Sequence, residues 1–230
     1  MPTRLRLALL AALALPWASP ALAAPCAPGT LTAYVALGAG GCTLGPASFG
    51  DFSDLGAPFG ATPISPDAVQ VIPLAPDPSS AQLVFQVNAA ASAQQLLEIL
   101  IGYSVTAPLL KRAQLTLEGS SVTQDGAVTA IEDLCLAGSF GPGGPTGCSG
   151  TPETLIVFDA AVDRDLFAGM SFAAVGSLAV VHDIAVDGGL LGTAALTSAT
   201  NEFRVPEPAA ATLLVAAGGL ALWLRRRRRA

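Results

Sequence analysis

Gln114-Leu115-Thr116-Leu117-Glu118 alternates strictly between polar and apolar residues. A period of two puts Leu115 and Leu117 on one side and Gln114, Thr116 and Glu118 on the other, the pattern of a half-buried strand. Working outward, similar short runs recur at residues 30–37, 47–52, 69–74, 82–88 and 99–106 before it. After it come 128–136, 155–159, 172–183 and 193–203. Glycine, proline and aspartate separate them, as turns require. Val69, Val71 and Ile64 sit among prolines, which suits an edge or irregular strand. About ten strands with a turn every ten residues or so predict an all-β domain, a β-sandwich or jelly roll. One segment departs: residues 89–100 are rich in alanine and glutamine. Their first half reads as helix or loop, with a strand starting near Leu97.

The two ends have a different character. Arg4 and Arg6 precede an apolar run over residues 7–15, Pro16 breaks it, and Ala21-Leu22-Ala23 offers small residues to a signal peptidase. This is the three-part layout of a secretory signal, too short to span a bilayer, and it assigns residues 1–23 to a signal peptide. At the other end, residues 209–224 carry no charge and are followed by Arg225, Arg226, Arg227, Arg228 and Arg229. As a helix they would reach about 24 Å, and arginine stems can snorkel towards the remainder of a hydrocarbon core of about 30 Å. The arginines stay on the cytoplasmic side, so residues 24–204 are expected outside. The signal peptide demands the same orientation.

Between domain and helix stands Pro206-Glu207-Pro208. Two prolines fix φ, remove two backbone donors and disfavour helix before them, leaving a stiff extended segment that a groove can recognise. Pro208 also suits a first helical turn, and Glu207 suits its positive end. Taken together, the Pro-Glu-Pro element, short apolar helix and terminal arginine cluster over residues 205–230 resemble the PEP-CTERM sorting signal of exosortase substrates. Gly-Gly-Cys-Thr-Leu-Gly at 40–45 and the stretch 183–189 are similar to segments of small PEP-CTERM proteins. The resemblance implies export by a Gram-negative bacterium that makes exopolysaccharide. It implies an inner-membrane-anchored precursor, cut by a transpeptidase that recognises Pro206, Glu207 and Pro208, and then a place on the cell surface or in the biofilm matrix.

Charge is unevenly placed. Residues 24–204 hold sixteen acidic side chains but only Lys111, Arg112, Arg164 and Arg204, a net charge near −12. Such a surface repels phosphate backbones, which excludes nucleic acid as a partner. Cys26, Cys42, Cys135 and Cys148 are even in number and lie in the exported part, where disulfides form. Three connectivities are formally open; Cys26–Cys42 and Cys135–Cys148 need the least rearrangement. Neither pair has Cys-x-x-Cys spacing, and the single histidine lies elsewhere, so the metal reading is poor.

No catalytic constellation emerges. His182 and Asp183 are neighbours on a strand, hence on opposite faces, and a lone histidine there reads as structural. Ser171 in Gly-Met-Ser-Phe-Ala lacks the strand-turn-helix setting of a nucleophile elbow. Glu98, Glu118, Glu132 and Glu153 fall on different elements, with no spacing that selects two. Asp159, Asp163 and Asp165 could offer oxygens to calcium, but the glycine and terminal glutamate of a calcium loop are missing. Trp17 and Trp223 lie at the ends, so the exported part has no tryptophan and just Tyr34 and Tyr103. The expectation is a non-catalytic, structural or adhesive surface protein without a cofactor. A polysaccharide- or calcium-binding module is the alternative, and a secreted hydrolase the third reading.

Overall fold

The computed structural model describes residues 23–206 apart from 59, 142 and 143. The signal segment up to residue 22, Glu207, Pro208, the apolar stretch 209–224 and Arg225 to Arg229 therefore lie outside the described residues. Among the described residues no helix is long and apolar enough to cross a membrane.

Among the described residues, fourteen strands form one hydrogen-bonded sheet. They are β1 (Ala24–Pro25), β2 (Gly29–Thr30), β3 (Cys42–Leu44), β4 (Ala47–Gly56), β5 (Thr62–Pro63), β6 (Gln70–Leu74) and β7 (Ser80–Ala91). Then follow β8 (Leu96–Glu118), β9 (Ser121–Thr123), β10 (Ala127–Leu136), β11 (Thr151–Ala160), β12 (Arg164–Asp165), β13 (Phe167–Asp187) and β14 (Thr193–Arg204). Pairing is antiparallel except at the two-residue contacts β1–β3 and β5–β8.

The sheet doubles back on itself. The first part of β8 pairs with β4 and with the end of β13, while its last part pairs with β14 and with the start of β13. The chain turns at Pro108 in β8, and β13 slips register between Ser171 and Ser177 alongside it. Two layers result: β3-β4-β8-β13-β10-β11 and β2-β6-β7-β14-β8-β13, sharing the two long strands. Their rows face one another about Leu109. Asn201, paired with Leu115, meets Tyr103; Phe203, paired with Ala113, lies 6.0 Å from Phe49, which pairs with Val105. Phe85 reaches His182 in the same way, with ring centroids 5.3 Å apart. The β-rich, sandwich-like architecture is as expected, and the core lies between the layers.

Several boundaries differ from expectation. Residues 30–37, expected as a strand, contain β2 and then helix α1 (Leu31–Val35). Thr30 caps it by accepting the Ala33 N–H at 3.2 Å, and Leu31 and Tyr34, three apart, both face the core. This helix closes one side of the sandwich, its Tyr34 ring edge-on to Phe52 at 5.0 Å. The alanine-rich segment is not helical: β7 runs through Ala91, a turn at 92–95 follows, and β8 starts at Leu96. The expected strands 99–106 and 114–117 are a single strand, because the alternation is interrupted at the corner without breaking the chain's pairing.

Both expected disulfides are present, Cys26–Cys42 and Cys135–Cys148, with Cα separations of 4.9 and 5.5 Å. The first ties the N-terminal strand β1 to β3. The second closes the loop between β10 and β11. Two such bridges place the domain in an oxidising, extracytoplasmic setting.

Candidate functional site

The outward face of the second layer carries the most organised group of polar side chains, of which Gln82 is half-buried and Gln114, Thr200 and Glu202 are buried. Its side chains come from β7, β14 and β8, whose alternate residues Leu83, Phe85, Asn201, Phe203, Leu115 and Leu117 face inward and are buried. The intervening residues must therefore face out. Register sets Gln82, Glu202 and Gln114 in one row across three strands, and Val84, Thr200 and Thr116 in the next. Gln82 Nε2 donates to Glu202 Oε2 at 2.9 Å, and Arg204 Nε donates to the other carboxylate oxygen. Glu202 is thus held from two sides, while Thr200 Oγ1 is buried with no partner among the described residues. The row ends at Gly169 on β13, where the half-exposed Phe167 ring lies across the glycine beside Gln114. Arg112 and Arg204 balance Glu118 and Glu202 here, so this face is locally neutral on a strongly acidic domain.

A second polar group lies in the core. Glu132 on β10 pairs directly with His182 on β13, and both are fully buried, as is Asn201 opposite them. Asn201 Nδ2 donates to Tyr103 Oη at 2.6 Å. Neither carboxyl oxygen of Glu132 nor either ring nitrogen of His182 has a partner among the described residues. Burial, with the charge of Asp133 second, pushes the Glu132 carboxyl well above its usual range, and burial holds His182 down to about 3. Burial thus favours the uncharged form of each, and His182 is neutral at pH 7. His182 is sealed in the core, and Asp183, next to it on the strand, points to the opposite face.

Other candidates disperse. Asp183 comes into hydrogen-bond contact with Glu98, whose carboxyl is pushed up to about 7 by desolvation first and by Asp183 second. Glycosidase carboxyls stand about 5 Å or more apart to flank a sugar bond, so this pair lacks that geometry. Asp159 accepts from the Ser120 hydroxyl and pairs with Arg164, while Asp163 and Asp165 accept backbone N–H groups locally. Their oxygens serve turns, and among the described residues no group of three His, Cys, Asp or Glu converges for a metal. Ser171 lies on β13, not on a strand-turn-helix elbow. A cavity of about 210 Å³ under the disulfide loop is lined by Asp51, Ser104, Ser139 and Phe140, and a wider one of about 430 Å³ by Gln94, Asp125 and Leu190. Pro206 is described and half-buried; the rest of the sorting motif falls beyond it.

No family model matches this chain, and no curated protein matches it. Among solved structures it is similar to TmCBM61 in complex with β-1,4-galactotriose, at 11% identity and TM-score 0.29, over 68% of this chain and 88% of that one. It is also similar to the glycosylation-associated Gap123 complex from Streptococcus agalactiae, at 12% identity and TM-score 0.28, over 59% of this chain and 24% of the other. The enzymatically active domain of tailspike protein 4 of bacteriophage CBA120 follows at 9% identity and TM-score 0.25, over 69% of this chain and 19% of that one. Scores this low carry no argument about what this chain binds.

Proposed function

We propose that this chain is an exported, non-catalytic surface or matrix protein that adheres to polysaccharide through the outward face of its second layer. The row Gln82–Glu202–Gln114 carries this reading, with Gln82 and the Phe167 ring accessible to a ligand and Glu202 and Gln114 buried. Each side-chain amide offers donor and acceptor together, as each sugar hydroxyl does, so such a row matches a polyhydroxylated chain without needing charge. The strands are about 4.8 Å apart, so the row from Gln82 to Gly169 spans roughly 14 Å, enough for several contacts with an extended polymer. Phe167 supplies an apolar ring at its end. Local neutrality removes the repulsion that the rest of the acidic surface would impose on an anionic polymer. Delivery to the surface rests on the signal peptide and on exosortase recognition of Pro206, Glu207 and Pro208.

Affinity electrophoresis through gels containing exopolysaccharide from the native host tests the binding face. Wild-type protein is retarded, and Gln82→Ala with Gln114→Ala together lose most of that retardation, each lost hydrogen bond costing on the order of 1 kcal/mol. Equal migration of wild type with and without polysaccharide removes the proposal. So does a retardation that the double substitution leaves intact.

A further inference from the structure

We infer that two copies of this chain join edge to edge through the start of β13, antiparallel about a two-fold axis that places Gly169 opposite Gly169 of the second copy. Residues 167–171 pair with β8 on one side only; β10 meets β13 further along, from Leu178 to Asp187. No described strand occupies the other side. The direction of the free groups follows from one bond: Leu117 donates its N–H to the Leu166 carbonyl, so residues 166, 168 and 170 turn their backbone groups towards β8. Phe167, Gly169 and Ser171 then turn theirs outward. The Phe167 N–H agrees, reaching only the Asp165 carboxylate at 3.4 Å.

Exposed edges are normally blunted by charge, proline or brevity. Other edges among the described residues are blunted, that of residues 87–91 in β7 by a bulge at Asn88 and the following ones by charge, proline or brevity. The β11 edge carries Pro152 and Glu153 and meets β12, with Arg164 and Asp165; β6 carries Pro73 and is met by β2; β3 is met by β1, with Pro25. By contrast, residues 166–182 contain no proline and no acidic or basic side chain other than His182, which is buried. Phe167 stands half exposed at this edge, and Ile156 and Val162 are exposed on the adjoining β11 and its turn.

A second copy is the occupant that the chemistry selects. Two bodies each near −12 repel over most of their surfaces, and this uncharged edge is where they can approach closely. Pairing through Gly169 sets Phe167 opposite Ser171 of the other copy, and these are the residues whose donors and acceptors point outward. The absent side chain at Gly169 leaves room for each Phe167 ring, already packed over its own glycine, to lie beside the axis. The contact is isologous and closes on itself, so it makes a dimer and no fibre. It rests on backbone pairing and not on polysaccharide, but it shares Gly169 and Phe167 with the end of the polar row and would set two such rows side by side.

Sedimentation velocity of the full chain in mild detergent, combined with hydrogen exchange over a dilution series, tests this. A dimer is expected at high concentration, with the amides of Gly169 and Ser171 protected there and fast-exchanging on dilution. Ser171→Pro removes an outward donor, and Gly169→Lys sets two like charges face to face while the exposed Phe167 ring gives way. Each shifts the dimerisation midpoint upward about tenfold or more. Leu190→Lys, on an exposed turn far from this edge, leaves the midpoint unchanged. A monomer at all concentrations overturns the inference. Protection of Gly169 and Ser171 that ignores dilution, or a dimer indifferent to both edge substitutions, does the same.

Discussion

Glu132 and His182 stand side by side on β10 and β13, sealed between the layers with no hydrogen-bond partner for either among the described residues. Their linkage to pH has opposite signs. The Glu132 carboxyl keeps its proton in the fold, whereas in the unfolded chain it ionises near 4.5, so stability falls as pH rises beyond that value. His182 stays neutral in the fold down to about 3 but takes a proton near 6.5 when unfolded, so stability also falls as pH drops below 6.5. Between those values the two slopes offset each other. Glu98, held up to about 7, tilts the balance towards acid and moves the maximum to about pH 5. The urea midpoint is expected to peak there and decline towards pH 8, and Glu132→Gln to flatten that decline by up to about 1.4 kcal/mol per pH unit. A wild-type profile level from pH 5 to 8 would contradict this account. The burial of His182 was readable from its apolar strand. Its pairing with Glu132 was not, because fifty residues separate them and only register brings them together.

At the scale of the element, the corner of β8 decides the architecture. Alternation on either side of it was plain in the sequence, at Val105 and at Leu115, and each half reads correctly as a strand. The join was hidden. Buried apolar positions run 103, 105 and 107, then 110, then 113, 115 and 117, so the phase slips twice around Pro108. A slip with a proline reads as a loop between two strands. In the fold it lets the strand turn a corner while keeping its apolar side inward. Leu110→Ala, which empties a fully buried site at that corner, should cost about 2–5 kcal/mol in denaturant unfolding. Leu109→Ala, half exposed beside it, should cost well under 1 kcal/mol. Comparable losses at the two positions would mean that the corner is not where the layers are pinned. The helix α1 was missed for a related reason. Its five residues are too few to display a period, and the Thr30 cap was the one local sign.

Across the whole molecule, the expected sorting elements are easier to pick out of the sequence than the polar row. The segments read as export signals are contiguous in sequence: the expected signal peptide, the proline-rich motif, the apolar run and the arginine cluster each occupy one stretch. The polar row is assembled from Gln82, Gln114 and Glu202, which no linear reading joins. Sorting has its own test. Mass spectrometry of the C-terminus of protein from the native host should find an end near Pro208, and Glu207→Ala should leave residues 209–230 attached. Retention of that tail in both forms would mark an ordinary anchor. The direction in which the chain leaves the domain matters as well. Val205 follows straight from β14, and β14 is bonded along its length to β7 on one side and to β8 and β9 on the other. A body attached by its C-terminus and dragged by flowing medium is pulled along the axis of that central strand. The load then falls on two ladders at once and in shear, so their bonds must fail together and cannot be unzipped singly.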